Sequence, residues 1–337
     1  MILASLGLAL AAESARPVHP GDTVASLAAS LGDPALAAKI RELNGLAAGE
    51  EPVVGTVVRL PDPAVVGEQR AFLLSLSGKA TRQAPGGQPE PLETFVPIDN
   101  GWTVCTLEGS RATVRLASTC TNDGQASDDL VMLEQTCLVV DLSTSSKQGR
   151  STVVRVLTGS VGVLSQEDAR GHVTIVTPSG ITSGPAGGFR VTIEEEAART
   201  ETLEGTATVA GSGAEVSLAP GQGSRVKTGE APSAPVSLLV LSELLEPEAG
   251  DVLLRPQFRW SAVDGAMGYR FEIGAGADFR EVLYQEDVPD PQHDPLTLML
   301  PYNQLDGVWW RASAFDRFGF EGVPAPARLA RFPPALR

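Results

Sequence analysis

Val156-Leu-Thr-Gly159-Ser-Val161 carries a pattern that returns twice more in the chain, as Leu76-Ser-Gly78-Lys-Ala80 and Leu203-Glu-Gly205-Thr-Ala207. In each copy an apolar residue stands two before and two after a glycine. Positions two apart on an extended chain share a face. A glycine on that face marks a bulge or the close approach of another strand. The same period of two runs through Ala112-Thr-Val-Arg-Leu116, His172-Val-Thr-Ile-Val176 and Phe189-Arg-Val-Thr-Ile193. These segments predict an all-β region of stacked layers over residues 70–228. The chain as a whole reads as a mainly β multidomain protein.

On the N-terminal side the pattern changes. Pro20-Gly21-Asp22 is turn chemistry, and Asp22 or Thr23 is placed to cap a helix by accepting its free N–H groups. Val24, Leu27, Ala28 and Leu31 follow the spacing of one buried helical face. Gly32-Asp33-Pro34 ends that helix and starts a second, whose stripe is Leu36, Ile40 and Leu43 and whose stop is Asn44-Gly45. Val54, Val57 and Leu60 predict a short return strand closed by Pro61. The result is a compact βααβ unit over residues 16–61, near the lower size limit for an unaided core.

The order Val-His-Pro-Gly-Asp-Thr-Val24, Lys39-Ile-Arg-Glu-Leu-Asn44-Gly-Leu46 and Val54-Gly-Thr-Val-Val-Arg-Leu-Pro61 resembles the LysM carbohydrate-binding module. That resemblance implies a ligand, peptidoglycan or another N-acetylglucosamine polymer. The sugar is then expected between two loops, contacted by Gly21, Asp22, Thr23, Val24, Asn44, Leu46, Val53 and Val54. The Ala/Gly/Glu-rich stretch Ala47 to Glu51 departs from the family pattern inside the second loop.

The middle region resembles the FecR-type domain of bacterial envelope proteins. The matching residues are Gly101-Trp-Thr-Val-Cys-Thr106, Ser110, Ala112 to Leu116, Val156 to Val161, Thr177-Pro-Ser-Gly180, Phe189-Arg-Val191 and Ala219-Pro-Gly-Gln222. Ser183-Gly-Pro-Ala-Gly-Gly188 departs from the family's usual turn before a strand. The resemblance implies an all-β scaffold or partner-binding element; the alternative it raises is an envelope sensor or signalling component. After a linker, Gly229-Glu-Ala-Pro-Ser-Ala-Pro235, residues 236–334 resemble a fibronectin type III-like sandwich. Trp260, Tyr269 and one of Trp309 and Trp310 are its expected core aromatics.

Charge narrows the ligand classes. A net charge of −15 over 337 residues lacks the basic footprint that nucleic-acid binding requires. Met1-Ile-Leu-Ala-Ser-Leu-Gly-Leu-Ala-Leu-Ala-Ala12 resembles the apolar core of a secretory signal, with Ala9-Leu10-Ala11 as its cleavage site. No later run approaches the ~20 apolar residues of a membrane span. A periplasmic or cell-surface location follows as the expectation, with no transmembrane segment after signal cleavage. Cys120 and Cys137 flank a polar loop and are the expected disulfide, with Cys105 left over; buried thiols are the other reading.

No metal site is assigned, because no Cys-x-x-Cys occurs and His19, His172 and His293 are far apart in the sequence. No cofactor fingerprint is present either. Ser224-Arg-Val-Lys227-Thr-Gly229 contains Ser-x-x-Lys and Lys-Thr-Gly strings, yet one lysine would have to serve both motifs. No catalytic residue is assigned. The expected function is therefore non-enzymatic: a glycan tether followed by β platforms.

Overall fold

The computed structural model describes residues 13–18, 21–30, 36–54, 56–61, 70–117, 127–146, 149–165, 171–185, 188–253, 257–295 and 306–333. Residues 1–12, the Gly32 to Pro34 break, residues 62–69 and Cys120 lie outside them. Among the described residues, two helices and many short strands make the protein mainly β. Among the described residues, no helix is long and apolar enough to cross a membrane.

Strands Glu13–Pro17 and Val57–Pro61 pair antiparallel, Glu13 opposite Pro61, and helices Val24–Ser30 and Ala37–Asn44 lie between them in sequence. Val18, Val24, Leu27, Ala28, Ile40, Val58 and Leu60 form the small core. The first helix starts from a reciprocal cap. Ser26 N–H donates to Thr23 Oγ1 at 3.0 Å, and Thr23 N–H donates to Ser26 Oγ at 2.8 Å. The second helix ends at Gly45, φ 64° and ψ 23°, with Leu46 N–H bonded to Arg41 O and Gly45 N–H to Glu42 O. The return strand corrects one expectation. It buries Val58 and Leu60 and leaves Val57 half-buried, because a strand repeats every two residues and the Val57/Leu60 spacing is three.

The middle region is two nine-stranded sheets around one core. The first runs Val236–Ser237, Gln222–Lys227, Ala197–Thr202, Phe189–Ile193, Ser160–Ser165, Ser127–Met132, Arg111–Ala117, Arg70–Ser77 and Pro97–Ile98. The second runs Ala214–Leu218, Ala207–Gly211, Ile181–Pro185, Gly171–Val176, Gly149–Thr158, Cys137–Ser146, Thr103–Thr106, Ala80–Gln83 and Glu90–Pro91. Leu73, Val114, Leu130, Val154, Ile175 and Val191 are among the side chains fully buried in their shared core.

The three glycine patterns mark corners where the chain passes from one sheet to the other. Gly78, Gly159 and Gly205 all have positive φ, at 92°, 83° and 68°. At two corners the glycine also makes room. A Cβ on Gly78 would run into Ser110, and one on Gly159 into Thr136. Those neighbours hold the corners: Ser110 Oγ accepts Lys79 N–H at 2.9 Å, and Thr136 Oγ1 accepts Ser160 N–H at 3.0 Å.

The disulfide is Cys105–Cys137, not Cys120–Cys137. Cys105 and Cys137 are direct partners on adjacent antiparallel strands, so the strand register brings their side chains together. Sequence proximity had favoured the pair around the polar loop; the cross-strand neighbour is set by topology.

The C-terminal region packs a three-stranded sheet (Leu244–Glu246, Phe258–Trp260, Gln292–His293) near a four-stranded one (Val282–Val288, Gly268–Gly274, Gly307–Phe315, Arg328–Arg331). Trp310 is fully buried and Trp309 half-buried, as alternation along a strand demands. The expected linker is laid along the first middle sheet. Ser233 N–H donates to Arg225 O at 2.9 Å, and Val236 pairs with Gly223.

Candidate functional site

The two loops expected to flank a glycan are residues 21–24 and 46–54. They are joined by a side chain that the sequence reading passed over. Glu51 Oε2 accepts the Val24 N–H at 2.5 Å, and Glu51 Oε1 accepts Arg41 at 3.2 Å. Arg41 also donates to Glu50 O, and Glu50 Oε2 accepts Ala47 N–H at 2.9 Å. The stretch Ala47 to Glu51 is thus a folded turn held by the second helix. Its signal in the sequence was an arginine in the last helical turn followed by two consecutive glutamates.

The Val24 N–H bond holds the Glu51 carboxyl below its ordinary range, against the opposing effect of desolvation, and Arg41 adds to the lowering. A depressed carboxylate pKa contributes stability at pH above the unfolded value. That contribution is lost as pH falls through the folded value. The bridge between the loops is therefore in place at neutral pH.

The expected contact residues divide by role. Val24 points into the core and offers a ligand no side chain, and its N–H is held by Glu51. Thr23 is spent on the helix cap. Asn44 is a clamp: its amide donates to Ile40 O and Arg59 O, each at 2.7 Å, and accepts Arg59 N–H at 2.7 Å. It fastens the second helix to the return strand. Asp22 is half-buried, and Leu46 and Val54 pack against the small core. Gly21, φ 90°, is exposed at the first loop, and Val53 is 67% exposed at the second. Of the expected contact residues, Gly21, Thr23 and Val53 are the exposed ones.

Elsewhere the polar clusters are structural. Ser224 is fully buried and donates to Ser233 O at 2.8 Å, whereas Lys227 is exposed on the opposite face of the same strand. The two side chains cannot meet. Tyr284 O–H donates to Glu286 and lies 3.0 Å from His293 Nε2, and the His293 ring packs 5.1 Å from Phe271. Burial pushes the Tyr284 hydroxyl above its ordinary pKa, and Glu286 pushes it further; burial pulls His293 down. This trio closes one side of the C-terminal core, so His293 is a packed residue, not a free surface one. Among the described residues, no group of three or more His, Cys, Asp or Glu is placed to hold a metal ion.

No family model and no curated protein matches the chain. Two crystal structures of a candidate anti-sigma factor from Parabacteroides distasonis are similar to it, at 14% and 13% identity, each with a TM-score of 0.31. Each match covers 40% of this chain and 59% of that one.

Proposed function

We propose that this is a non-enzymatic bacterial envelope protein that binds peptidoglycan or another N-acetylglucosamine polymer through its N-terminal LysM-like unit. The observation that supports the reading is the bond by which Glu51, in the second candidate loop, holds the Val24 N–H of the first. Preorganisation lowers the ordering cost of binding, and a single shallow site still binds weakly, so many copies along one polymer would act together. The FecR-like and fibronectin type III-like regions serve as platforms that hold or contact envelope partners.

Val53 is the residue to test, because its exposed side chain supports no core contact. Val53→Glu is expected to weaken binding of a chitooligosaccharide about tenfold, roughly 1.4 kcal/mol, with the thermal midpoint unchanged. Calorimetric titration of the full chain measures this. Affinity equal to wild type would remove Val53 from the binding site.

A further inference from the structure

The C-terminal region does not hang from the middle one; charged side chains bridge them. Glu321, only 3% exposed, sits between two arginines from different regions. Arg190 from the middle sheet reaches its Oε1 at 2.8 Å, and Arg270 from the C-terminal sheet reaches its Oε2 at 2.5 Å. Ser313 Oγ donates to Oε1 at 2.7 Å, and Glu321 N–H points at Glu201 Oε1 at 3.4 Å. Glu201 is itself fully buried between Arg190 (3.6 Å) and Arg199 (3.5 Å). Glu194 and Asp287 take the outer arms of Arg199 and Arg270.

A second cluster lies further along the same face. Buried Asp129 binds Arg115 through two hydrogen bonds, at 2.7 and 2.8 Å, and forms an ion pair with Arg280 of the C-terminal region at 2.9 Å. Thr113 O–H donates to Arg280 O, and Arg111 donates to the Gln285 side chain and backbone, each at 3.2 Å. Beyond the first cluster, on the strand Gln222–Lys227, the surfaces fit closely. A Cβ on Gly223 would lie 2.8 Å from the Phe320 ring, and one on Gly319 would strike Arg199.

We propose that the middle and C-terminal regions form one rigid arm, pinned by Glu321, so that the covered face of the first nine-stranded sheet is not a partner surface. Buried ion pairs give little net stability, but they make the contact strongly dependent on every member. Removing Glu321 leaves Arg190 and Arg270 without their shared carboxylate inside the contact. Any protein partner must then use the second sheet or the rims.

The test is differential scanning calorimetry of the full chain with limited proteolysis at residues 229–235. The wild type is expected to unfold its two β regions in one transition and to resist cleavage there. Glu321→Ala should lower the midpoint by about 10 °C, or split the transition in two, and open the segment to protease. Should Glu321→Ala not fold, Gly223→Val tests the same contact by wedging Phe320 away without touching a charge, and should give the same splitting. Glu42→Ala, at the exposed Lys39–Glu42 pair of the N-terminal unit, is the control. Two separate transitions in the wild type would overturn the proposal. So would a Glu321→Ala or Gly223→Val protein that melts and resists protease as the wild type does.

Discussion

Phe271→Ala is expected to cost about 3–5 kcal/mol of stability, the range for a large aromatic removed from a closed core. Phe271 is fully buried at the centre of an aromatic cluster. Its ring lies 4.6 Å from Phe258, 5.9 Å from Trp260 in a nearly parallel stack, and 6.2 Å from Trp310. His293 and Tyr284 close the remaining side at 5.1 and 6.1 Å. Rings on so many sides cannot collapse into the gap without leaving their rotamers, so the cavity stays. Urea denaturation followed by tryptophan fluorescence reads the loss, since Trp260 and Trp310 report directly on this core. Phe318→Ala, at a ring 54% exposed, is expected to change stability by less than about 0.5 kcal/mol. Equal effects for the two would refute the packing described.

Replacing Cys105 and Cys137 together by serine is expected to cost about 3–4 kcal/mol, the loop-closure value for the 32-residue separation they span. The bridge joins strands Thr103–Thr106 and Cys137–Ser146 in the second sheet, where the chain in between makes strands of the first. Unfolding with the bridge cut therefore releases a long excursion of chain. Cys120→Ser should leave the midpoint in place, and mass spectrometry of the non-reduced protein should recover Cys105 linked to Cys137. A Cys120–Cys137 link, or equal loss from all three single substitutions, would contradict the strand register.

The legible parts of this chain were those governed by local rules. Thr23 and Gly45 are a cap and a stop because of backbone N–H and carbonyl groups within a few residues, and Val24, Leu27, Ala28 and Ile40 are buried by helical period. Alternation likewise placed Val114, Ile175 and Val191 in the β core and required one of Trp309 and Trp310 to face inward, which is Trp310. The glycine patterns were read as bulges or close approaches; they are corners between sheets, two with a side chain pressed against them. What stayed hidden depends on which strands become neighbours. Cys105 meets Cys137 across a ladder that no spacing rule specifies. Arg190 and Glu321 are separated by 131 positions, and each alone reads as an ordinary solvated charge. Asn44 shows the same limit at the site: its clamp on Arg59 requires knowing where the return strand lies. Glu51 was hidden for a different reason: Arg41 and the Glu50-Glu51 pair mark a turn, but the bond to the Val24 N–H needs the two loops brought together by the fold.

The glycan tether is the central claim, and a pulldown on insoluble peptidoglycan tests it most directly. Residues 13–337 are compared with a chain lacking residues 13–61, each at several concentrations of the polymer. Retention of the longer chain, its release by soluble chitooligosaccharide, and no retention of the shorter one are expected. Retention of neither would contradict it and direct the search to a protein partner of the middle region, in keeping with the FecR-like sensor reading. Retention of both would contradict it too, by moving the glycan contact into the β arm.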